Sequence, residues 1–231
     1  MLQGLRELWY RSRVISVWDK RKEVVEVSRR LSELGFMPST SGNVSVRLDE
    51  RRILITPSGV PKGALQPGQV DLLGLDGECL ECSLKPTSEL GLHLAAYRLR
   101  PDAQAVVHAH PPIATAFACA GVELPTDIAA EVLVALKTVP LTSFFMLGSR
   151  LSDSELPLDL REALLARDAC LLSNHGALTL GASLALAFQN MELLEHYAKI
   201  CLAVHQLGSQ RHLTSAQAAE LMELGKKYSR R

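Results

Sequence analysis

The sequence lacks any run of about 18 apolar residues, the length that a membrane-spanning helix requires. Its N-terminal segment also lacks the unbroken apolar stretch of about 7–15 residues that is typical of a secretory signal peptide. Neither sign of charge is in excess, because 25 lysines and arginines balance 25 aspartates and glutamates. Binding to nucleic acid or to a membrane surface favours a basic excess. We therefore expect a protein that binds neither nucleic acid nor membranes.

Cysteine is also sparse, with five residues at scattered positions. An odd, scattered set argues against a disulfide framework and favours a reducing compartment, so we expect a cytoplasmic protein. Cys79 and Cys82 have the spacing of half a four-thiolate zinc site, but no second pair exists. We expect them to be two structural cysteines in a β-hairpin.

The apolar residues recur with periods that predict a layered α/β fold. Helical spacing is found at 20–34, 86–99, 158–166, 182–207 and 215–228, and strand patterns at 44–48, 53–56, 105–110, 138–142, 169–173 and 177–180. Several strand pairs are short hairpins, which predicts a mixed or antiparallel sheet rather than a purely parallel one. With 231 residues and no visible linker or repeat, we expect a single domain over 1–231, with its core at about 20–207.

Three histidines stand at predicted strand ends. His108 and His110 are two residues apart, so their side chains share one face of a strand, just before a proline turn. His175 follows a second apolar strand and precedes Gly176, which permits close approach of backbone or ligand. Each histidine alone is compatible with a local hydrogen-bonding role. Together they predict a site for a divalent metal ion.

A carboxylate stands near the start of the helix predicted from about residue 86. Glu89 lies in its first turn, with Thr87 or Ser88 as the expected N-cap, and is either a capping carboxylate or part of the metal site. His93, four residues on, is a rival metal ligand, although a structural role is the simpler interpretation.

Three clusters of small polar residues offer hydroxyl groups and accessible backbone N–H groups. Ordinary turns explain each cluster singly, but their combination with the histidines indicates an anion site. The clusters are Thr40, Ser41, Gly42 and Asn43; Ser58 and Gly59; and Thr87 and Ser88.

These residues lie in segments that resemble the class II aldolase/adducin family, most closely its L-fuculose-phosphate aldolases. The segments are Thr40-Ser41-Gly42-Asn43-Val44-Ser45, Ile55-Thr56-Pro57-Ser58-Gly59, Lys85-Pro86-Thr87-Ser88-Glu89, His108-Ala109-His110-Pro111 and Asn174-His175-Gly176-Ala177. They follow the family's order over about residues 20–207. The resemblance implies a three-layer α/β/α sandwich with a mixed, largely antiparallel sheet, and a homotetramer with active sites between subunits.

The resemblance also implies a lyase activity: zinc-dependent cleavage of a ketose 1-phosphate to dihydroxyacetone phosphate and an aldehyde. The implied ligands of Zn²⁺, or of Mn²⁺ or Co²⁺ in its place, are His108, His110 and His175, with Glu89 as a further ligand that acts as the base. The implied phosphate cradle consists of Thr40, Gly42, Asn43, Ser58, Gly59, Thr87 and Ser88.

Two positions depart from the family's pattern. L-fuculose-phosphate aldolases use a tyrosine of the neighbouring subunit at the position that aligns with Ala129, whereas related sequences carry a glutamate close by, which Glu131 matches. Tyr228 is the counterpart of a second family tyrosine near the C-terminus. The acid that serves the leaving aldehyde is therefore open between Glu131 and Tyr228.

Other functions share these motifs. Decarboxylation, dehydration or epimerisation of a sugar phosphate would use the same scaffold, and the motifs do not separate them from aldol cleavage. A non-catalytic, adducin-like interaction protein is the alternative of another class, but it would be expected to have lost metal ligands that are all present here. A metal-binding protein without activity is a third alternative.

Overall fold

The computed structural model describes residues 16–146 and 155–228. Its strands are β1 (Asn43–Arg47), β2 (Arg52–Ile55), β3 (Asp71–Gly74), β4 (Cys79–Glu81), β5 (Ala105–Ala109), β6 (Leu141–Thr142), β7 (Ala169–Leu172) and β8 (Gly176–Gly181). Its α-helices are α1 (Val17–Glu33), α2 (Leu90–Leu99), α3 (Pro112–Ala120), α4 (Ala130–Ala135), α5 (Leu158–Ala166), α6 (Leu184–Leu207) and α7 (Ser215–Tyr228). Two short 3₁₀ helices, Lys62–Ala64 and Pro67–Gln69, separate β2 from β3.

The strands of the described residues form one sheet in the order β4-β3-β2-β1-β5-β8-β7-β6. Neighbouring strands are antiparallel, except that β6 runs parallel to β7. The prediction of a mixed, largely antiparallel sheet is therefore confirmed. Central β5 pairs with β1 on one side and β8 on the other, so elements distant in sequence meet at the middle of the sheet.

Two hydrophobic cores lie on opposite faces of the sheet. One combines side chains of α1, α3, α4 and α6, and the other combines side chains of α2 and α5. Strand β5 contributes to both because side chains alternate along a strand: Val107 packs in the first core and Val106 in the second. This arrangement is the predicted three-layer α/β/α sandwich. His108 shares its face of β5 with Val106, and therefore points toward the α2 layer.

Several local predictions differ from the structure. Helix α2 begins at Leu90 rather than near residue 86, because Pro86 forms an isolated bridge with Pro57 and holds the chain extended. Glu89 occupies the N-cap position itself but makes no side-chain capping bond, so neither Thr87 nor Ser88 is the N-cap. The strand expected at 138–142 is reduced to Leu141–Thr142.

Cys79 and Cys82 also differ from expectation. They lie at the hairpin edge of the sheet as predicted, but a disulfide joins them. Cys119, Cys170 and Cys201 are free. In the described ranges 16–146 and 155–228, no helix has the length and apolar character needed to cross a membrane.

Candidate active site

Three imidazoles converge where β5 and β7 end and β8 begins. His108 lies in β5, His110 directly follows it, and His175 occupies the turn between β7 and β8. The antiparallel register that pairs Ala109 with Ala177 brings this turn beside the end of β5. The Nε2 atom of His110 is 3.1 Å from that of His108 and 3.2 Å from that of His175.

The carboxylate of Glu89 contacts two of these rings. Its Oε2 lies 3.0 Å from His108 Nε2, and its Oε1 lies 3.3 Å from His175 Nε2. Donor atoms around a tetrahedral zinc ion, with bonds of about 2.0–2.1 Å, are about 3.3 Å apart. The separations among the histidine nitrogens are close to that spacing, so the three histidines offer a donor set of the right size for such an ion, and the Glu89 carboxylate borders two of them.

The state of the histidines suits metal binding. Nδ1 of the buried His108 lies 2.9 Å from the carbonyl oxygen of Ala177, and donating a proton there leaves the Nε2 lone pair free for a metal. Burial lowers the pKa of His110 to about 4, which keeps its imidazole neutral. Neutral imidazoles and a carboxylate are typical ligands of Zn²⁺ and related divalent ions. The residues present therefore fit the metal that the resemblance implies.

Two backbone features allow the histidines to approach one another. Asn174 adopts the left-handed conformation, with φ of 57°, in the tight turn that presents His175. At Gly176 a Cβ atom would lie 2.6 Å from the Ala109 carbonyl oxygen and 2.6 Å from Cδ2 of His110. A side chain at this position would collide with both β5 and a candidate ligand, so the site requires glycine.

A buried chain of hydrogen bonds lies behind Glu89. Asn43 donates its amide Nδ2–H to Glu89 Oε2 at 2.6 Å and to Thr87 Oγ1 at 3.2 Å. Nε2 of His93 bonds to Asn43 Oδ1, and its Nδ1 lies 2.6 Å from Ser45 Oγ. Because both ring nitrogens of His93 are engaged in this way, the alternative that His93 is a metal ligand is not supported.

The hydrogen bonds behind Glu89 all run in one direction, toward its carboxylate. Burial lowers the pKa of His93 to about 3, so its ring is neutral and carries one N–H. Since Asn43 gives its N–H groups to Glu89 and Thr87, its Oδ1 accepts from His93 Nε2–H, and His93 Nδ1 accepts from the Ser45 hydroxyl. The Ser45 oxygen, 2.8 Å from the hydroxyl of Tyr97, then accepts from it. Four successive donors thus orient the carboxylate.

The same contacts keep Glu89 ionised. Burial alone would raise the pKa of its carboxyl group, but when no metal is bound the positive charge of a protonated His108, together with hydrogen bonds from His108, His175 and Asn43, stabilises the charged form and holds the pKa well below its usual range. A carboxylate that stays ionised in a buried site is available both as a metal ligand and as a proton acceptor.

The three loops with small polar residues meet beside this cluster. Asn43 joins the first loop to Thr87 in the third, and the Pro57–Pro86 bridge joins the second loop to the third. Thr40, Gly59 and Ser88 are exposed and Ser58 is half-buried, whereas the Asn43 amide is already bonded to Glu89 and Thr87. At Gly42, with φ of 70°, a Cβ would lie 2.9 Å from the His108 carbonyl oxygen.

The two candidate acids lie on helices α4 and α7. Glu131 is exposed in the first turn of α4, and the described contacts include none between it and the histidines or Glu89. Tyr228 ends helix α7, and its side chain lies outside the part that the structure describes.

Three further residues support the site and carry no recognisable signal in the sequence. Ser45 and Tyr97 support Glu89 through His93, and the buried Lys62 joins two of the polar loops. A lone lysine after a turn carries no recognisable signal. Ser45 and Tyr97 would have required knowledge that β1 lies beneath α2.

Comparison with known proteins gives the class that this fold and site define. The profile described as "Class II Aldolase and Adducin N-terminal domain" matches residues 22–202. A 3-oxo-tetronate 4-phosphate decarboxylase of Escherichia coli K12 is 34% identical over 207 residues, covering 87% of this chain and 94% of that protein. A 5-deoxy-D-ribulose 1-phosphate aldolase of Bacillus thuringiensis is 32% identical, covering 90% and 95% of the two chains.

A solved structure agrees with both. The L-fuculose-1-phosphate aldolase of Thermus thermophilus superposes with a TM-score of 0.69 at 32% identity, covering 83% of this chain and 97% of that one. The chain therefore belongs to the class II aldolase/adducin family. It is a lyase of the aldolase and decarboxylase kind, and the family is dependent on divalent metals.

Proposed function

We propose that this chain is a zinc-dependent aldolase that cleaves a ketose 1-phosphate, similar to L-fuculose 1-phosphate, to dihydroxyacetone phosphate and an aldehyde. The observation that carries the proposal is the convergence of three Nε2 atoms and the Glu89 carboxylate beside three loops suited to an anion. The Bacillus thuringiensis relative, named as an aldolase of a ketose 1-phosphate, supports this substrate class.

In this proposal His108, His110 and His175 hold the metal, with Glu89 as a further ligand. When bound, a divalent metal supplies Lewis acidity that polarises the carbonyl and hydroxyl oxygens of the substrate. His108 is held in its ligating tautomer by the Ala177 carbonyl, and Asn43 orients the carboxylate of Glu89. The protein thus fixes both the donor set and the reacting carboxylate before substrate enters.

Cleavage breaks the C3–C4 bond of the ketose. The C4 hydroxyl loses its proton and becomes the aldehyde, while the electron pair of the broken bond passes to the three-carbon phosphate half, which gains a proton at C3. We assign the C3 proton to Glu89, whose carboxylate removes it in condensation. In cleavage the carboxylate first takes up a proton from solvent and then delivers it to C3, while the C4 hydroxyl proton passes to a group on the aldehyde side. Glu131, from a neighbouring subunit, and Tyr228 are our candidates for the proton on the aldehyde side.

The phosphate group is assigned to the three polar loops. The proposed cradle consists of Thr40, Gly42, Asn43, Ser58, Gly59, Thr87 and Ser88. Ser88 is exposed beside the start of α2, and its removal should cost one hydrogen bond to a charged group, about 1.5–3 kcal/mol. Ser88→Ala should therefore lower kcat/KM about ten- to hundredfold on a phosphorylated substrate and much less on its unphosphorylated analogue. Equal losses on both would contradict this assignment.

Decarboxylation of a 3-oxo sugar-acid phosphate is the second candidate. Two observations favour it: the 34% identity to the Escherichia coli decarboxylase, and Ala129 in place of the tyrosine of the fuculose-phosphate enzymes. Both reactions develop negative charge beside a carbonyl group, so the site chemistry serves either.

Product analysis separates the two candidates. Metal-loaded protein is incubated with a panel of ketose 1-phosphates and with 3-oxo-tetronate 4-phosphate, and release of dihydroxyacetone phosphate and of CO₂ is measured in parallel. We expect dihydroxyacetone phosphate and an aldehyde from a ketose 1-phosphate, without CO₂, and chelator-treated protein is the inactive control. Dihydroxyacetone phosphate released with an equal amount of CO₂ from 3-oxo-tetronate 4-phosphate, and no cleavage of any ketose 1-phosphate, would replace the aldolase proposal with the decarboxylase.

We further propose zinc as the metal, a homotetramer and a cytoplasmic location. Elemental analysis should find about one zinc per chain, and less in His108→Ala, His110→Ala and His175→Ala. Sedimentation should give four times the chain mass. Full metal content in all three variants would contradict the ligand assignment.

A further inference from the structure

Lys62 is a buried cation whose hydrogen-bond partners are neutral. Lys62 is the first residue of the 3₁₀ helix Lys62–Ala64 and is 1% exposed. The ammonium Nζ donates to the carbonyl oxygens of Thr40 at 3.0 Å, Val60 at 3.0 Å and Pro57 at 3.4 Å. An ammonium has three N–H groups, so these carbonyls use all of them. Among the described residues, none of the ion pairs involves Lys62.

The charge of Lys62 is incompletely compensated. Removing an ammonium group from water costs several kcal/mol, and carbonyl dipoles return only part of this. Burial accordingly lowers the pKa of Lys62 to about 8, although the Glu89 carboxylate opposes the shift. If the residue served only to join two loops, a neutral donor would do so at lower cost. A charge at this position is better explained by an anion that binds nearby.

The three carbonyls identify where that anion lies. Thr40 belongs to the loop that leads to Gly42, and Pro57 and Val60 flank Ser58 and Gly59. The ammonium therefore lies directly behind two of the loops assigned to the phosphate. The third loop is attached to the second through the Pro57–Pro86 bridge.

We propose that Lys62 is a specificity-determining residue whose buried positive charge favours a phosphorylated substrate. Its hydrogen bonds also hold two of the loops at the spacing that a phosphate needs. The proposal rests on the proposed function, in that it requires the three loops to bind phosphate. Lys62 does not touch the substrate and acts through the loops and through its field. In a medium of effective dielectric constant about 20, any two unit charges about 7 Å apart change a binding constant about 50-fold, which gives the order of magnitude for such a field.

The test separates charge from hydrogen bonding. Lys62→Gln keeps N–H donors for the carbonyls but removes the charge, and Lys62→Arg keeps the charge. Inorganic phosphate is titrated calorimetrically into each metal-loaded variant, with metal content and melting temperature measured alongside. Lys22→Gln is the control, because Lys22 is an exposed lysine on α1 and its loss changes the net charge equally.

We expect Lys62→Gln to bind phosphate about 10- to 100-fold more weakly while retaining its metal, and Lys62→Arg to recover part of the loss. Unchanged phosphate binding in Lys62→Gln would overturn the proposal. Absence of phosphate binding by the unaltered protein would instead overturn the cradle on which it rests.

A measurement on the unaltered protein keeps the proposal testable if Lys62→Gln fails to fold. Coupling between two sites is reciprocal, so bound phosphate must raise the pKa of Lys62, as followed by the ¹³Cε resonance of the labelled lysine. An unchanged pKa at saturating phosphate would show that the charge is not coupled to the anion, and would overturn the proposal.

Discussion

Substitution of Gly176 by alanine tests whether the close packing of β5 against the His175 turn creates the metal site. The added Cβ would lie 2.6 Å from the Ala109 carbonyl oxygen and 2.6 Å from Cδ2 of His110, whereas ordinary contact begins at 3.4 Å. Each neighbour must therefore move by about 0.8 Å, the difference between 3.4 and 2.6. Ligand distances in metal sites tolerate only about 0.2 Å.

The two neighbours cannot both relax easily. Ala109 pairs with Ala177 in the central sheet, so moving its carbonyl strains the β5–β8 ladder. The alternative is rotation of the His110 ring, which takes its Nε2 away from those of His108 and His175. We expect metal affinity to fall about 10- to 100-fold, as when a residue that supports a metal ligand is removed. The free energy of unfolding of the apoprotein should fall by about 1–3 kcal/mol.

The assay is titration of apoprotein with Zn²⁺ against a chromophoric chelator, with thermal unfolding of the apoprotein recorded separately. Gly68→Ala is the matched control, because a Cβ there has no heavy atom within 4 Å and its backbone does not require glycine. Wild-type metal affinity in Gly176→Ala would refute the argument that close packing positions the ligands.

Three further substitutions test the site and its surroundings. Glu89→Gln keeps an oxygen for the Asn43 amide, so metal and fold should persist while turnover falls about 10²–10⁴-fold; turnover at the native rate would remove Glu89 as the base. Ser45→Ala leaves His93 Nδ1 without its hydrogen-bond donor, so the hydrogen bonds behind Glu89 are no longer fixed in one direction. We expect kcat to fall about tenfold at unchanged metal content. An unchanged kcat would count against a fixed direction of these hydrogen bonds. Burial raises the pKa of the Asp71 carboxyl group from 3.8 to about 6, although Ser83 and Arg21 oppose the shift. Because the folded state favours the protonated form, this group stabilises the protein fully below about pH 4, and the stabilisation is lost as pH rises through 6. In chemical denaturation Asp71→Asn should remove a pH-dependent change of up to about 3 kcal/mol over that range, and identical pH profiles of the two proteins would contradict this expectation.

The sequence predicts elements whose signals are local. The long helix α6 follows from the apolar residues that recur along it, and the strand β5 follows from its continuous apolar run, since it is buried on both faces. The shared face of His108 and His110 follows from the alternation of side chains along a strand. Local rules failed at α2, where the bridge between Pro57 and Pro86 delays the helix to Leu90.

The supporting residues depend on long-range packing and were not predictable. Asn43 and Glu89 are 46 residues apart, and Ser45 and His93 are 48 apart, yet each pair is hydrogen-bonded beneath α2. Nothing in the sequence near Asn43 indicates that its side-chain amide is bonded to the Glu89 carboxylate. The sequence therefore indicates the three histidines, Glu89 and Asn43 as candidate site residues, but not Ser45 and Tyr97 behind them.

The separation of the histidines along the chain has a consequence for the lifetime of the folded protein. His110 and His175 are 65 residues apart, and they meet only after β5 has paired with β8. An intermediate without this pairing cannot hold a metal with all three imidazoles. Interactions that form after the transition state slow unfolding and leave the folding rate nearly unchanged. If β5 pairs with β8 only after the transition state for folding, a metal bound at this junction would slow unfolding, and chelation would shorten the life of each folded chain without delaying its folding.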